Sequence, residues 1–248
     1  MQHATQTQQT EAVRASQDAE PYAFHDSECV IVPMAAGDVD AVARLHVASF
    51  GDSFLATMGA PFLRHYFRAF LDNPEGCGWV CRDRRGGDVV GFVCGSENVT
   101  RHYRVFLYRR FVPSLPAIVA RVMQKPQLAA PVCRRVWRVG RQLVTARART
   151  PDGLAPPSTA LPPASLMTIG VHPEHRRHGT GEMLVRAFTS EMSMRGVRRV
   201  KLGVRGDNIA ARRLYERLGW RPVRSSVADG RENWMYVREI HGGNANAR

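Results

Sequence analysis

The stretch from residue 165 to 192, SLMTIGVHPEHRRHGTGEMLVRAFTSEM, limits the fold more than any other part of the chain. Its first seven residues are an apolar run of strand length. Leu184, Phe188 and Met192 then recur at four-residue spacing, which makes one face of a helix, and Gly196 closes it. Between strand and helix lie two glycines and a cluster of cationic and polar side chains. RVKLGVR follows with strict alternation, Val200, Leu202 and Val204 on one face, and reads as a half-buried strand. Strand, glycine turn, helix and strand in this order call for a sheet with helices packed against it.

The turn sets the chemistry. A tight turn opening a helix exposes unpaired backbone N–H groups at the positive end of the helix dipole, and neighbouring arginines add full charge. The guest that fits is a phosphate. Two phosphate loops are excluded at the residue level. A Walker A loop needs Gly-Lys-Ser/Thr, but Gly181 precedes Glu182, and a dinucleotide fingerprint needs a small residue where Leu184 stands. What remains is Arg176, Gly179 and Gly181 in an Arg-x-x-Gly-x-Gly arrangement.

Earlier in the chain, residues 1–27 are too polar to pack and read as a disordered tail, as do residues 241–248. ECVIVP is a strand. GDVDAVARLHVASF is a helix with Asp38 as its expected N-cap, and APFLRHYFRAFLD is a second helix with Pro61 in its first turn. GWVCRD and VVGFVCGS flank a turn at RRGGD and form a hairpin. Near the C-terminus, DNIAARRLYERLGW is a helix with Asp207 as cap candidate and Gly219 as stop, followed by strands at GWRPVRS and NWMYVREI. No apolar run is long enough for a membrane-spanning helix and no export signal is seen, so a cytoplasmic protein is expected. Of five cysteines only Cys77 and Cys81 lie close together, and no second Cys/His pair has zinc-site spacing, so reduced structural thiols and no metal are expected.

Charge is concentrated in one place. Between Glu97 and Asp152 no acidic residue occurs, while Arg101, Arg104, Arg109, Arg110, Arg121, Lys125, Arg134, Arg135, Arg138, Arg141, Arg147 and Arg149 all fall there, in a chain of net charge +13. Pro113, Pro116, Pro126 and Pro131 are expected to break this segment, and Val132, Val136, Val139 and Leu143 give it a basic amphipathic helix. It reads as a helical insert over 98–162 between the third and fourth strands, ending in a proline-rich connector. Two accounts stay open: a helical cap whose arginines are merely solvated, or a contact with an anionic partner. That partner could be an acidic or phosphorylated acceptor, an acyl carrier protein, anionic lipid or nucleic acid.

Taken together, SLMTIGV ending in HPEHRRHGTG, the following helix, RVKLGVR and DNIAARRLYERLGW resemble the GCN5-related N-acetyltransferase (GNAT) superfamily. The last piece fits the family pattern Asn-x-x-Ala-x-x-Leu-Tyr-x-x-x-Gly-aromatic, with Trp220 as the aromatic. The resemblance is close over residues 165 to 222 and compatible from residue 28 onward. It implies a single α/β (α+β) domain over 28–240, a mixed central sheet flanked by helices. It also implies acetyl-CoA as acyl-donor substrate, its pyrophosphate held at Arg176, Arg177, His178, Gly179, Thr180, Gly181 and Glu182. Backbone groups of Ile169 and Val171 would lie along the acyl arm, and Asn208 on the coenzyme side.

The implied reaction is direct attack of a primary amine on the thioester. Tyr215 stands at the position of the acid that protonates the leaving sulfur, and an amide near Ile169 could hold the oxyanion. Many relatives carry a glutamate on the strand before the turn, whereas PPASLMTIGV has none. Glu97 is the substitute expected as base, with Asp52 and His46 behind it, or a water relay. The second function class is an acyl-CoA-binding regulator or anionic-surface module without turnover. The acceptor, acetyl against longer acyl groups, and the oligomeric state, a dimer included, stay open.

Overall fold

The structure is a computed structural model, and it describes residues 29–51, 53–134, 136–137, 141, 163–228 and 231–240. Seven strands form one sheet: β1 (Cys29–Pro33), β2 (Gly76–Asp83), β3 (Val89–Ser96), β4 (Ala164–Val171), β5 (Arg199–Arg205), β6 (Arg221–Ala228) and β7 (Arg231–Glu239). Their order across the sheet is β1-β2-β3-β4-β5-β7-β6. Every neighbouring pair is antiparallel except β4 and β5, which run parallel and are joined by the helix that follows the glycine turn. This is the expected mixed sheet flanked by helices.

Helices cover both faces. On one lie α1 (Val39–Phe50) and α2 (Gly59–Asp72), backed by α3 (Val99–Val105), a π-helical stretch (Phe106–Phe111) and α4 (Val112–Gln124). Their apolar layer holds Phe62, Leu63, Phe67, Phe70, Phe92, Phe106 and Ile118. On the other face lie α5 (Thr180–Met194) and α6 (Ile209–Arg217), packed on Trp79, Val93, Leu166, Leu202 and Tyr236 through Leu184, Phe188, Met192 and Tyr215. The spacing of Leu184, Phe188 and Met192 is why α5 forms as it does: all three are fully buried.

Three local expectations are corrected. Asp38 makes no capping bond to α1. Its carboxylate accepts from the Ala35 amide at 2.9 Å and pairs with Arg82, so it braces the loop behind the helix instead. Asp207 is not the cap of α6 either. Asn208 is, its Oδ1 accepting from the Ala211 amide at 3.2 Å, while Asp207 pairs with Arg205. Pro113 and Pro116 do not break the helix between residues 99 and 124. Each lacks the amide that would bond four residues back, and the π-helical stretch before α4 shifts the bonding register just where the first would be missed. Pro126 does end α4, opening a 3-10 turn over Pro126–Leu128.

Of the residues between β3 and β4, those described from 99 to 124 are therefore helical, and much of this part belongs to the core: Phe106 and Ile118 are buried, Arg110 pairs with Asp72, Arg101 with Glu75, and Arg121 donates to the Thr57 carbonyl at 2.7 Å. Of the stripe expected from Val132, Val132 and Val136 are described, while Val139 and Leu143 lie outside the described residues. Among the cysteines, Cys29, Cys77, Cys81 and Cys94 are buried and Cys133 is exposed, all as thiols rather than disulfides. Burial pushes the Cys77 thiol up to about 12.

Candidate active site

The site is built around β4. On its β3 side the strand is paired along its length, from Ser165 opposite Ser96 to Val171 opposite Gly91. On its β5 side pairing covers only Ala164, Ser165 and Leu166, opposite Val200, Lys201 and Leu202, and then stops. The two parallel strands part from Met167 onward, leaving an open seam that ends at the glycine turn.

One extra residue shapes this seam. Cys94 pairs with Thr168 but Gly95 with Leu166, so Met167 is unmatched and forms a β-bulge. The faces show it: Ala164, Leu166, Ile169 and Val171 all belong to the α5 side, although regular alternation would put the last two opposite the first two. Met167 packs on the other side. The backbone follows suit. The His172 amide donates to the Val90 carbonyl at 2.8 Å, which aims residue 172, and by alternation 170, toward β3. The peptide groups of Ile169 and Val171 then face the open seam. The Val171 carbonyl is already engaged there, accepting from Arg176 Nε at 3.1 Å and Ser49 Oγ at 3.5 Å.

The turn itself fits an anion. Arg177 is the one described non-glycine residue with positive φ, at 68°, and Gly179 follows at 80°. Two left-handed residues so close together turn the chain sharply into α5. The first helical amide to bond back is Met183, to the Gly179 carbonyl at 3.1 Å, so the amides before it in the first turn are free to point at a ligand. Thr180 is buried and donates to the His175 carbonyl at 3.4 Å. Arg176, Arg177 and His178 are exposed around the turn. Glu182 is turned aside, its carboxylate accepting from Arg186 at 2.8 Å, so it does not oppose a phosphate at the amides. A pyrophosphate is thus compatible with this donor set.

The third wall is α6. A Cβ on Gly181 would lie 3.5 Å from Leu214 Cδ2 and 4.0 Å from Val171 Cγ2, so turn, strand end and α6 meet at one point. Tyr215, the next residue, is 5% exposed, its ring 6.0 Å from that of Trp220 and 6.2 Å from that of Tyr236. Burial pushes its phenol up to about 12, so it keeps its proton at neutral pH. Asn208 Oδ1 is taken by the cap, which leaves its amide nitrogen to reach a ligand.

The expected base does not belong to this site. Glu97 does leave β3 at its end, but β3 is antiparallel to β4, so that end lies beside Ser165 rather than Val171. Ile169, where the resemblance puts the oxyanion, lies four strand residues further on, about 13 Å. Glu97 is bound there to Arg195 at 3.0 Å, in a clamp that joins the end of α5 to the start of β2 through the Gly76 carbonyl. His46 is buried among Phe50, Phe67 and Phe92 on the α1 face, and burial pushes its pKa down to about 4, too low for a base near neutral pH. Asp52 lies outside the described residues. Met167 and Ser49 are the participants that sequence reasoning missed.

Residues 145–220 match the acetyltransferase (GNAT) family, the span that carries β4, the turn, α5, β5 and α6. Residues 145–220 thus carry the likeness to the GNAT family. The [ribosomal protein bS18]-alanine N-acetyltransferase of Escherichia coli K12 is 39% identical over 75 residues, 28% of this chain and 51% of that protein. The mycothiol acetyltransferase of Corynebacterium diphtheriae is 41% identical over 59 residues, 24% of this chain and 20% of that protein. The chain thus spans about half the length of the first relative and a fifth of the second.

Solved structures extend the likeness in fold over nearly the whole domain. The Escherichia coli ribosomal-protein-S18-alanine N-acetyltransferase superposes with a TM-score of 0.52 at 15% identity, covering 89% of this chain and 99% of that one. Arabidopsis thaliana NAA60 in complex with acetyl-CoA does so with a TM-score of 0.51 at 16% identity, covering 86% and 98%.

Proposed function

We propose that this GNAT protein is an N-acetyltransferase that moves the acetyl group of acetyl-CoA to a primary amine by direct attack. The observation that carries the reading is the open seam: two parallel strands part at a bulge, and the gap between them runs to a turn of free amides. An extended acyl arm ending in a pyrophosphate has that shape and that charge. The coenzyme supplies an activated acetyl thioester; the chain's own groups do the rest. Ile169 offers a backbone amide to the carbonyl oxygen as charge builds there. The N–C bond forms and the C–S bond breaks, and the Tyr215 phenol, protonated because it is buried, gives its proton to the departing sulfur.

The amine must also lose a proton. With Glu97 and His46 removed from the role, an acceptor that arrives as the neutral amine loses its proton to water as the amide forms, and a proton from water restores the Tyr215 phenol. The acid-free segment 98–151 favours an acceptor that carries negative charge elsewhere in its structure.

A second reading, acyl-CoA binding without turnover, rests on β4 having no acidic residue. Thiol release from acetyl-CoA separates the two. A panel of peptides with free N-termini, amino sugars and small amines should include one that speeds thiol release well above the hydrolytic background. Tight acetyl-CoA binding with no acceleration by any amine would favour the binding module.

A further inference from the structure

We infer that the outer face of α4 and the cations beside it form a docking surface for an anionic lipid membrane. Along α4, Val112, Leu115, Val119 and Met123 follow at spacings of three and four, which places them on one stripe. That stripe faces outward: Val112, Val119 and Met123 are 67%, 55% and 77% exposed. The opposite side of the same helix is already used, with Ser114 and Ile118 buried and Arg121 tied to the Thr57 carbonyl. A helix apolar on both sides is ordinarily buried on both. Here, among the described residues, only the inner side is covered.

Two further exposed aromatic residues lie in the same acid-free segment. Tyr108, 84% exposed, precedes α4 in the π-helical stretch, and Trp137, 64% exposed, lies beyond it with the Arg141 guanidinium 4.9 Å above its ring. Contiguous apolar surface of this kind marks an interaction site. Its charges name the partner. Arg104, Arg109, Lys125 and Arg134 are exposed and have no acidic partner among the described residues, in contrast to Arg101 and Arg110. Arg101, Arg104, Arg109 and Tyr108 also line an open groove of about 510 Å³, wide enough for a phosphate-bearing headgroup.

Other occupants fit less well. A second copy of the chain would set one acid-free segment against another. Nucleic acid would use the cations and leave the stripe in water. The stripe is also an exposed apolar row along one helix, and such a row is what an interfacial helix lowers into the acyl boundary while its cations stay among the headgroups.

The test is flotation of the full chain with vesicles of phosphatidylcholine, with and without phosphatidylglycerol. The protein should float with the anionic vesicles at least about tenfold more strongly than with neutral ones, and less so as salt rises. Val119→Asp with Met123→Asp should abolish flotation. Arg104→Gln with Arg109→Gln and Lys125→Gln should erase the preference for anionic lipid. Neither variant should change the thermal midpoint by more than a few degrees or the acetyl-CoA affinity, which shows that the fold is intact. Failure to float with anionic vesicles would overturn the proposal. So would unchanged flotation of the aspartate variant, or a homodimer in light scattering that this variant disperses.

Discussion

The two edges of β4 are made of the same residues and behave in opposite ways. Toward β3 the strand is zipped from Ser165 to Val171, and toward β5 it is zipped for three residues and then released. The closed edge is where the protein is held together: Gly95 lies against Phe188 and the Ser165 carbonyl so closely that a Cβ there would come within 2.3 and 2.5 Å of them. The open edge is where backbone groups have been left for something else to bind. Backbone polar groups away from water are almost always paired, so a seam that stops short inside a sheet expects a partner from outside.

The largest expected effect tests the open edge. Gly179→Asp should raise the acetyl-CoA Kd by about 1000-fold, roughly 4 kcal/mol, because it sets a carboxylate where the turn presents amides to a phosphate. Gly179→Asn adopts the left-handed conformation about as readily and carries no charge, so by calorimetric titration it should stay within about tenfold of the parent. Equal losses in both variants would mean the turn fails by strain, and that the anion is bound elsewhere.

Next comes Tyr215→Phe, with kcat lower by about 100-fold and Kd for acetyl-CoA within about threefold, since the ring that packs is kept and only the proton donor is removed. An unchanged kcat under chemistry-limited conditions would return Tyr215 to the core. On the closed edge, Gly95→Ala should cost about 3 kcal/mol in chemical denaturation, because a backbone carbonyl cannot yield as a flexible side chain can. Coenzyme affinity of the folded protein should be kept. A loss of affinity without a loss of stability would show that the two edges are not separable.

The aromatic layer behind the closed edge gives a pH test. His46 and His102 are both buried, and burial lowers each to about 4. A pKa lowered in the folded state means that the unfolded chain takes up protons first. Stability should therefore be full above about pH 6.5 and fall as pH drops toward 4, each histidine contributing about 2 kcal/mol of loss between pH 7.5 and 5. His102→Leu should flatten the denaturation midpoint against pH over that window. An unchanged slope would mean that the ring is protonated in the fold. The smallest effect is Glu97→Gln, under about 1 kcal/mol in stability for a half-exposed pair, with kcat as in the parent.

How much of this the sequence could show depends on what leaves a mark on residue type. The turn was legible because Gly179 and Gly181 interrupt a helix-forming run beside two arginines, and α5 because Leu184, Phe188 and Met192 keep a strict spacing. The bulge was not. SLMTIGV is apolar on both faces, so its alternation carries no sign of which residue is extra. Glu97 shows a different loss: the end of its strand was read correctly, but strand direction in the sheet decides which neighbour that end meets. Asp207 and Asn208 are both good caps by type, and only geometry chose between them. Pro113 and Pro116 mislead in the same way, because a π-helical stretch has no side-chain signature of its own.

Met167 has one consequence for how this strand can change length. Because Met167 is the one unmatched residue, Ala164 and Leu166 share a face with Ile169 and Val171 although they are an odd number of positions apart. A single deletion between Leu166 and Ile169 would be absorbed by closing the bulge, with the faces and the β3 pairing on either side kept. A second deletion would exchange core and opposite face for half the strand and turn the peptide groups of Ile169 and Val171 from the open seam into β3. Deletions that survive in this part of β4 should therefore be of one residue.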